Sequence, residues 1–278
     1  MEDMEPFVDI HCHMLPGLDD GPADLDTSLR MAEMAVEDGI ATVVATPHQL
    51  GNFSQNRGAT IRSRTAWFQR TLDARGIPLQ ILPGADVRIE PELVHKVRSG
   101  EVASLADRKR YVLLELPHEV YVPLDRLLTE LAAAGMVGVL SHPERNLGIL
   151  GEPAVVPRLV DRGCLMQVTA GSLLGGFGNR IRRFSEALIM DGLVHFLATD
   201  AHGTRSRPPC MREAFDRVAK LRGRDTAAAL CCRNPNGVAQ GGTVPCGRSA
   251  PVATRWTTWL CHRFAEARHR LRAMDVSK

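Results

Sequence analysis

The sequence predicts an α/β fold with β/α repeats around a parallel sheet, whose polar residues fall where a β/α barrel would place them, and a basic C-terminal extension. Three observations carry this expectation. Seven short apolar runs rich in β-branched residues, at 7–11, 41–46, 79–87, 111–116, 137–141, 165–169 and 195–199, alternate with stretches of helical spacing, the pattern of β/α repeats around a parallel sheet. Polar residues suited to chemistry recur just after the runs, where β/α barrels build their sites. Composition also shifts near residue 237, which separates a body of 1–236 from a tail of 237–278.

The first run leads into Asp9-Ile10-His11-Cys12-His13. Alternation along a strand sends both histidines to one face, where they can grip one ion, and turns Cys12 away. Leu18-Asp19-Asp20-Gly21-Pro22 then sets two carboxylates in a turn. An aspartate there can cap the following helix, and Asp20 is expected to serve as a ligand instead. That helix shows Leu29, Met31, Met34 and Ala35 on one face, and a later one shows Leu124, Leu127, Leu128 and Leu131, the stripe of a helix packed on a core.

The second run ends in Thr46-Pro47-His48 and the fifth in Ser141-His142-Pro143-Glu144-Arg145. Each places a histidine beside a proline that stiffens the backbone aiming it. The third run supplies Asp86 and the fourth Glu115, while Asp200-Ala201-His202 after the seventh repeats the alternation of the first motif. Only the run ending at Thr169 lacks a ligand type, and there Thr169, Ser172 and nearby glycines can shape a wall.

Five histidines and up to four carboxylates, with no cysteine at the mouth, suit Mn²⁺, Fe or Zn²⁺ and outnumber what one ion can use. Two or three ions are expected, since crowded carboxylates without cations repel one another. His95, His118, His195, His262 and His269 stand in helix, loop, strand or tail positions without converging partners and are not expected to bind metal.

Hydrophobic residues at 44% and charged residues at 24% are ordinary for a globular protein. The acidic start from Met1 to Pro6 does not resemble a secretory signal, and no apolar stretch reaches membrane-spanning length. Seven cysteines without a C-x-x-C pair read as reduced thiols, and a cytoplasmic location follows. The tail carries seven Arg and Lys against Glu266 and Asp275, although the net charge of the whole chain is only +2. The body is therefore mildly acidic and a poor nucleic-acid surface.

The barrel is expected to end near Pro235, with a linker from Gly237 to Pro251. Beyond it Trp256, Leu260, Phe264, Ala267, Leu271 and Met274 recur at helical spacing between arginines. This reads as an amphipathic basic helix, either packed back on the barrel or contacting a membrane surface or partner.

The segments 9–13, 19–22, 45–48, 82–89, 112–117, 141–146, 169–178 and 194–202 together resemble a known family. It is the PHP (polymerase and histidinol phosphatase) superfamily and, within it, the bacterial manganese-dependent tyrosine-protein phosphatases of the CpsB/YwqE type. The strings HCHMLPGLDDG, SHPERN and GSLLGGFG are the most specific, and the likeness covers roughly the first 236 residues. The resemblance implies a distorted seven-stranded β/α barrel, PHP/TIM-like, holding three metal ions, Mn²⁺ foremost, on His11, His13, Asp20, His48, Asp86, Glu115, His142, Asp200 and His202. It makes Arg145, with Arg207 in Ser206-Arg207-Pro208-Pro209, the phosphate-binding arginines, and Arg145, Asp200 and His202 the catalytic residues. Its members dephosphorylate tyrosine kinases that control capsule or exopolysaccharide assembly. One departure stands out: the family usually has Glu where this chain has Asp86, one methylene shorter, so ion binding and activity are expected to be lower.

The expected chemistry is in-line attack of a metal-held hydroxide on phosphotyrosine, with Arg145 on the non-bridging oxygens. A phenolate leaving group of parent pKa about 10 departs with little protonation help. A cysteine phosphatase would need an arginine six residues after its thiolate. At that spacing after Cys12, Cys164 and Cys210 stand Leu18, Ala170 and Asp216, which excludes the thiolate mechanism. Two other readings keep the barrel: a phosphatase of histidinol phosphate or another small phosphomonoester or nucleic-acid end, and a silent module that docks a kinase tail.

Overall fold

The computed structural model describes residues 5–249. All seven predicted runs contain strand, and the described residues form nine segments: β1 (Phe7–Cys12), β2 (Ile40–Ala45), β3 (His48–Gln49), β4 (Gln80–Pro83), β5 (Asp86–Arg88), β6 (Tyr111–Glu115), β7 (Val137–Ser141), β8 (Leu165–Thr169) and β9 (Phe196–Ala198). They form two sheets, β1-β2-β4 and β3-β5-β6-β7-β8-β9, with every pairing parallel.

The count exceeds seven because the run 79–87 breaks in two and a further short strand, β3, follows the run 41–46, each for a local reason. Pro47 has no N–H to give a ladder, so the chain bends between β2 and β3. Between β4 and β5 the bend brings Gly84 so close to β2 that a Cβ would lie 2.6 Å from Val44 Cγ1; only glycine fits there. Since β2 leads into β3 and β4 into β5, the pairs β2·β4 and β3·β5 follow each other along the same two stretches of chain. At the other seam β1 meets the chain beyond β9: Asp200 N donates to His11 O at 2.7 Å and His13 N to Ala201 O at 2.9 Å. The result is an α/β fold with a strongly curled parallel sheet.

Alternation decides what the curled sheet encloses. Tyr111 and Leu113, Leu165, and Phe196 and Ala198 belong to one buried apolar cluster with Val8, Ile10, Val44 and Val139. Two residues on, the same faces carry Glu115, Gln167 and Asp200 at the C-terminal ends of the strands. In β1 the register against β2 shifts between Asp9 and Cys12, the kind of irregularity that re-aims a side chain, and His11 lies in that interval. Helices cover the outside. In Leu25–Asp38 the residues Leu29, Met31 and Ala35 are buried as expected, while Met34 is half-buried.

The stretch from Gly237, expected as a linker on its small polar composition, is instead fastened to the barrel as far as Ser249. Tyr111 Oη donates to Gly242 O at 2.9 Å and accepts from Val244 N at 3.0 Å. Arg110 reaches Gly241 O and Thr243 Oγ1, and His195 Nε2 lies 3.0 Å from Gly247 O. Val238, Ala239 and Val244 close the apolar cluster at the end opposite the polar one. The helix expected over Trp256 to Met274 lies outside the described residues. Among the described residues no helix is long and apolar enough to cross a membrane.

Candidate metal centre

The polar end of the curled sheet collects all nine expected ligands. They fall into four overlapping groups, each with ligand atoms within 4.8 Å of one another: His13, Asp20, His48 and His202; His11, His142 and Asp200; His11, His13 and Asp86; and His48, Asp86 and Glu115. Backbone placement explains the convergence. His48 and Asp86 are direct partners in the β3·β5 ladder, and Glu115 ends β6. His142 and Asp200 follow β7 and β9 with positive φ, 32° and 52°, a left-handed kink that non-glycine residues hold at a cost of about 1–3 kcal/mol and that clusters at functional sites.

Asp86 is the hub. Its Oδ2 lies 3.5 Å from His11 Nε2, 3.4 Å from His48 Nδ1 and 3.9 Å from His142 Nε2. Despite the shorter side chain, its carboxylate reaches two of the four groups. Neither carboxylate oxygen has a hydrogen-bond partner, and neither do His48 Nδ1 or His202 Nε2. Buried polar atoms left in that condition are costly, and a cation satisfies them together. Nitrogen and oxygen donors without a thiolate fit a hard or borderline divalent ion.

Three imidazoles are held in one tautomer. His11 Nδ1 meets Gln167 Oε1 at 2.9 Å, His13 Nδ1 meets Asp19 Oδ2 at 2.6 Å, and His202 Nδ1 meets Asp200 O at 2.9 Å. Each partner accepts, so Nδ1 donates, and a ring of this kind, once neutral, turns a bare Nε2 to the mouth, as buttressed metal-binding histidines do. Sequence reasoning missed Asp19 and Gln167 in this role. It also left open which aspartate caps the first helix, and Asp24 does so, accepting from Thr27 N at 2.8 Å. Asp19 is thereby free to accept from Gly21 N and His48 N as well, and Asp20 stands at the rim, 3.4 Å from both His48 Nε2 and His202 Nε2.

Burial and close charges pull the titrating groups of the cluster in opposite directions. Burial lowers His11, but Asp200 and Asp86 outweigh it and lift the ring to about 9. Burial and the neighbouring Asp86 push Glu115 up to about 8. Burial takes His13 down to about 4. Protons on His11 and Glu115 thus supply charge that a divalent ion delivers better.

Two arginines close the site. Arg145 Nη2 and Arg207 Nη2 each lie 2.5 Å from Asp200 Oδ2. The Arg145 guanidinium also sits 4.8 Å above the Phe177 ring, and Phe53 stacks on His48 with centroids 5.3 Å apart. Phe53 was not singled out by the sequence, and Phe177 entered only within the string GSLLGGFG, with no role given to its ring. Arg207 Nε is buried without a partner.

The profile of the family described as capsular polysaccharide synthesis, CpsB/CapC, matches residues 7–240. The chain belongs to the CpsB/CapC family. Tyrosine-protein phosphatase YwqE of Bacillus subtilis (strain 168) is 39% identical over 211 residues, 75% of this chain and 82% of its own length. Tyrosine-protein phosphatase CpsB of Streptococcus pneumoniae is 27% identical over 235 residues, covering 82% and 96%. Among solved structures, one from the crystal structures of YwqE from Bacillus subtilis and CpsB from Streptococcus pneumoniae, described as unique metal-dependent tyrosine phosphatases, superposes with a TM-score of 0.83. It is 35% identical and covers 89% of this chain and 100% of the other.

In this CpsB/CapC chain the cysteine of the first motif plays no part in the mouth. Cys12 is buried, its Sγ faces Ala201 O at 3.9 Å, and burial pushes its thiol well above the ordinary range. Cys12→Ser is therefore expected to keep kcat/KM on a phosphotyrosine peptide within about threefold of the parent for the folded fraction, measured by circular dichroism, because a buried hydroxyl costs stability of about 1–3 kcal/mol rather than chemistry. A hundredfold loss at unchanged fold would bring the thiol back into the mechanism.

Proposed function

We propose that the chain is a metal-dependent protein-tyrosine phosphatase, a phosphoric monoester hydrolase that uses Mn²⁺ in a three-ion cluster. The observation that carries the reading is Asp86, buried with both oxygens unpartnered, at the hub of overlapping ligand groups that share a mouth with two arginines. His11, His13, Asp20, His48, Asp86, Glu115, His142, Asp200 and His202 would hold the ions. We read the two sheets as one distorted seven-stranded barrel in which β2 with β3, and β4 with β5, each count once.

Bound divalent ions supply Lewis acidity and lower the pKa of water enough to give a nucleophile near neutral pH. The residues do the rest. Gln167 and Asp19 hold His11 and His13 in the tautomer that offers Nε2. Arg145 and Arg207 converge on one point, now occupied by Asp200 Oδ2, where their planar forks can take the non-bridging oxygens of a phosphate. Asp200 orients both forks while they wait. The phenolate leaves without a dedicated acid, which favours aryl over alkyl phosphates.

The substrate we infer is a phosphotyrosine protein, a bacterial tyrosine autokinase of capsule or exopolysaccharide synthesis, in the cytoplasm. The test measures metal content beside hydrolysis of a phosphotyrosine peptide and of histidinol phosphate. Chelation is expected to remove activity by more than about a hundredfold and Mn²⁺ to restore it, with the peptide preferred. Activity surviving below one ion per chain, or preference for histidinol phosphate, would refute the proposal.

A further inference from the structure

Among the described residues the exposed large apolar side chains are Val120 at 52%, Val122 at 41% and Leu147 at 47%. All three stand on two neighbouring segments that leave the metal centre, Val120 and Val122 on a loop and Leu147 at the first residue of the short helix Leu147–Gly151. Val120 and Val122 follow β6, which ends at Glu115, and Leu147 comes two residues after Arg145.

The two segments are locked to each other. Asn146 Nδ2 donates to Pro117 O at 2.7 Å and to Val120 O at 2.9 Å, and Leu147 N donates to His118 O at 2.9 Å. At Gly148 a Cβ would lie 2.3 Å from Tyr121 N, so the backbones touch with no room for a side chain. The apolar side chains are therefore held at a fixed offset from the arginine. With about 3.8 Å between successive Cα atoms, Leu147 lies within about 8 Å of Arg145 along the backbone. An extended peptide rising about 3.3 Å per residue reaches it within two or three residues of a phosphotyrosine at the arginine.

We propose that Val120, Val122 and Leu147 form the docking surface for apolar residues flanking the phosphotyrosine of the protein substrate. This inference rests on the phosphatase reading and adds sequence selectivity to it. Continuity with the catalytic mouth selects this occupant. Three side chains fall far short of the roughly 800 Å² per partner that a stable dimer buries. Exposed Glu119, between His118 and Val120, opposes an anionic lipid surface.

The experiment uses the full chain loaded with Mn²⁺ and three substrates: a phosphotyrosine peptide with Leu and Val at three positions on each side, the same peptide with Ser there, and p-nitrophenyl phosphate. The parent is expected to show a KM about tenfold lower for the apolar peptide, about 1.4 kcal/mol. The triple variant V120S/V122S/L147S is expected to erase that difference and leave p-nitrophenyl phosphate turnover within twofold. Equal KM for both peptides in the parent, or an unaltered preference in the variant, overturns the docking surface while the phosphatase reading stands. A parent dimer that becomes a monomer in the variant, seen by sedimentation, assigns the patch to self-association and also overturns it. If the parent hydrolyses none of the three, the phosphatase reading has failed instead, and fluorescence titration of the two labelled peptides onto parent and variant still decides the docking surface.

Discussion

Asp86→Ala is expected to lower kcat/KM on a phosphotyrosine peptide by at least about 10³-fold and to remove more than one ion from the purified protein. The argument is positional. Asp86 belongs to two of the ligand groups, faces His11, His48 and His142 within 3.9 Å, and is fully buried. Loss of a group that merely supports a ligand costs 10–100-fold in metal affinity or activity, and loss of a shared ligand costs more. A second readout separates metal loss from misfolding. Ligand binding to the native state stabilises it by about 2.7 kcal/mol at a hundredfold excess over Kd, so Mn²⁺ should raise the parent's Tm and raise the variant's much less. A variant with full metal content and parental Tm response would place the hub elsewhere. Asp86→Glu, one methylene longer, tests whether the shorter side chain limits turnover or is accommodated by the Gly84 bend that sets β5.

How much of this was legible beforehand depends on the kind of signal. The seven runs were visible because β-branched residues with period two fit a pleated sheet. Their division into nine was not, because the break at Gly84 comes from a 2.6 Å approach to Val44 on another strand, a contact between residues forty positions apart. The candidate ligands stood out because His, Asp and Glu at the ends of apolar runs have few other reasons to be there. Asp19 and Asp20 stand side by side in one turn with a cap as the competing role, and only the cap bond from Thr27 to Asp24, which was not considered, frees both. Gln167 carried a faint signal, a polar residue in the alternation of an otherwise apolar strand. It was passed over because a neutral amide is not a ligand type, although an amide oxygen suffices to fix an imidazole. The segment after Gly237 misled for a different reason: composition reports freedom of the backbone but not partners such as Arg110 and Tyr111, 131 residues away.

Arg145 carries the other large expected effect, and two substitutions divide its contribution. Arg145→Ala should cost about 10²–10³ in kcat/KM, the range found when a preorganised donor to developing or resident negative charge is removed. Arg145→Lys keeps the charge but loses the fork, and should recover only part of that. Metal content should stay parental in both, because the arginine touches the cluster only through Asp200 Oδ2, which Arg207 also holds. The Arg145 side chain is 11% exposed and that of Arg207 28%; Arg145 also rests on Phe177. The better-buried guanidinium works in the lower dielectric and has less freedom to lose, so Arg207→Ala is expected to cost less than Arg145→Ala. Inhibition by inorganic phosphate reads the ground-state share directly, since phosphate carries the oxygens without the leaving group. Its inhibition constant should rise in Arg145→Ala, and a variant that binds phosphate as the parent does while turning over slowly would show that this arginine acts on the transition state alone.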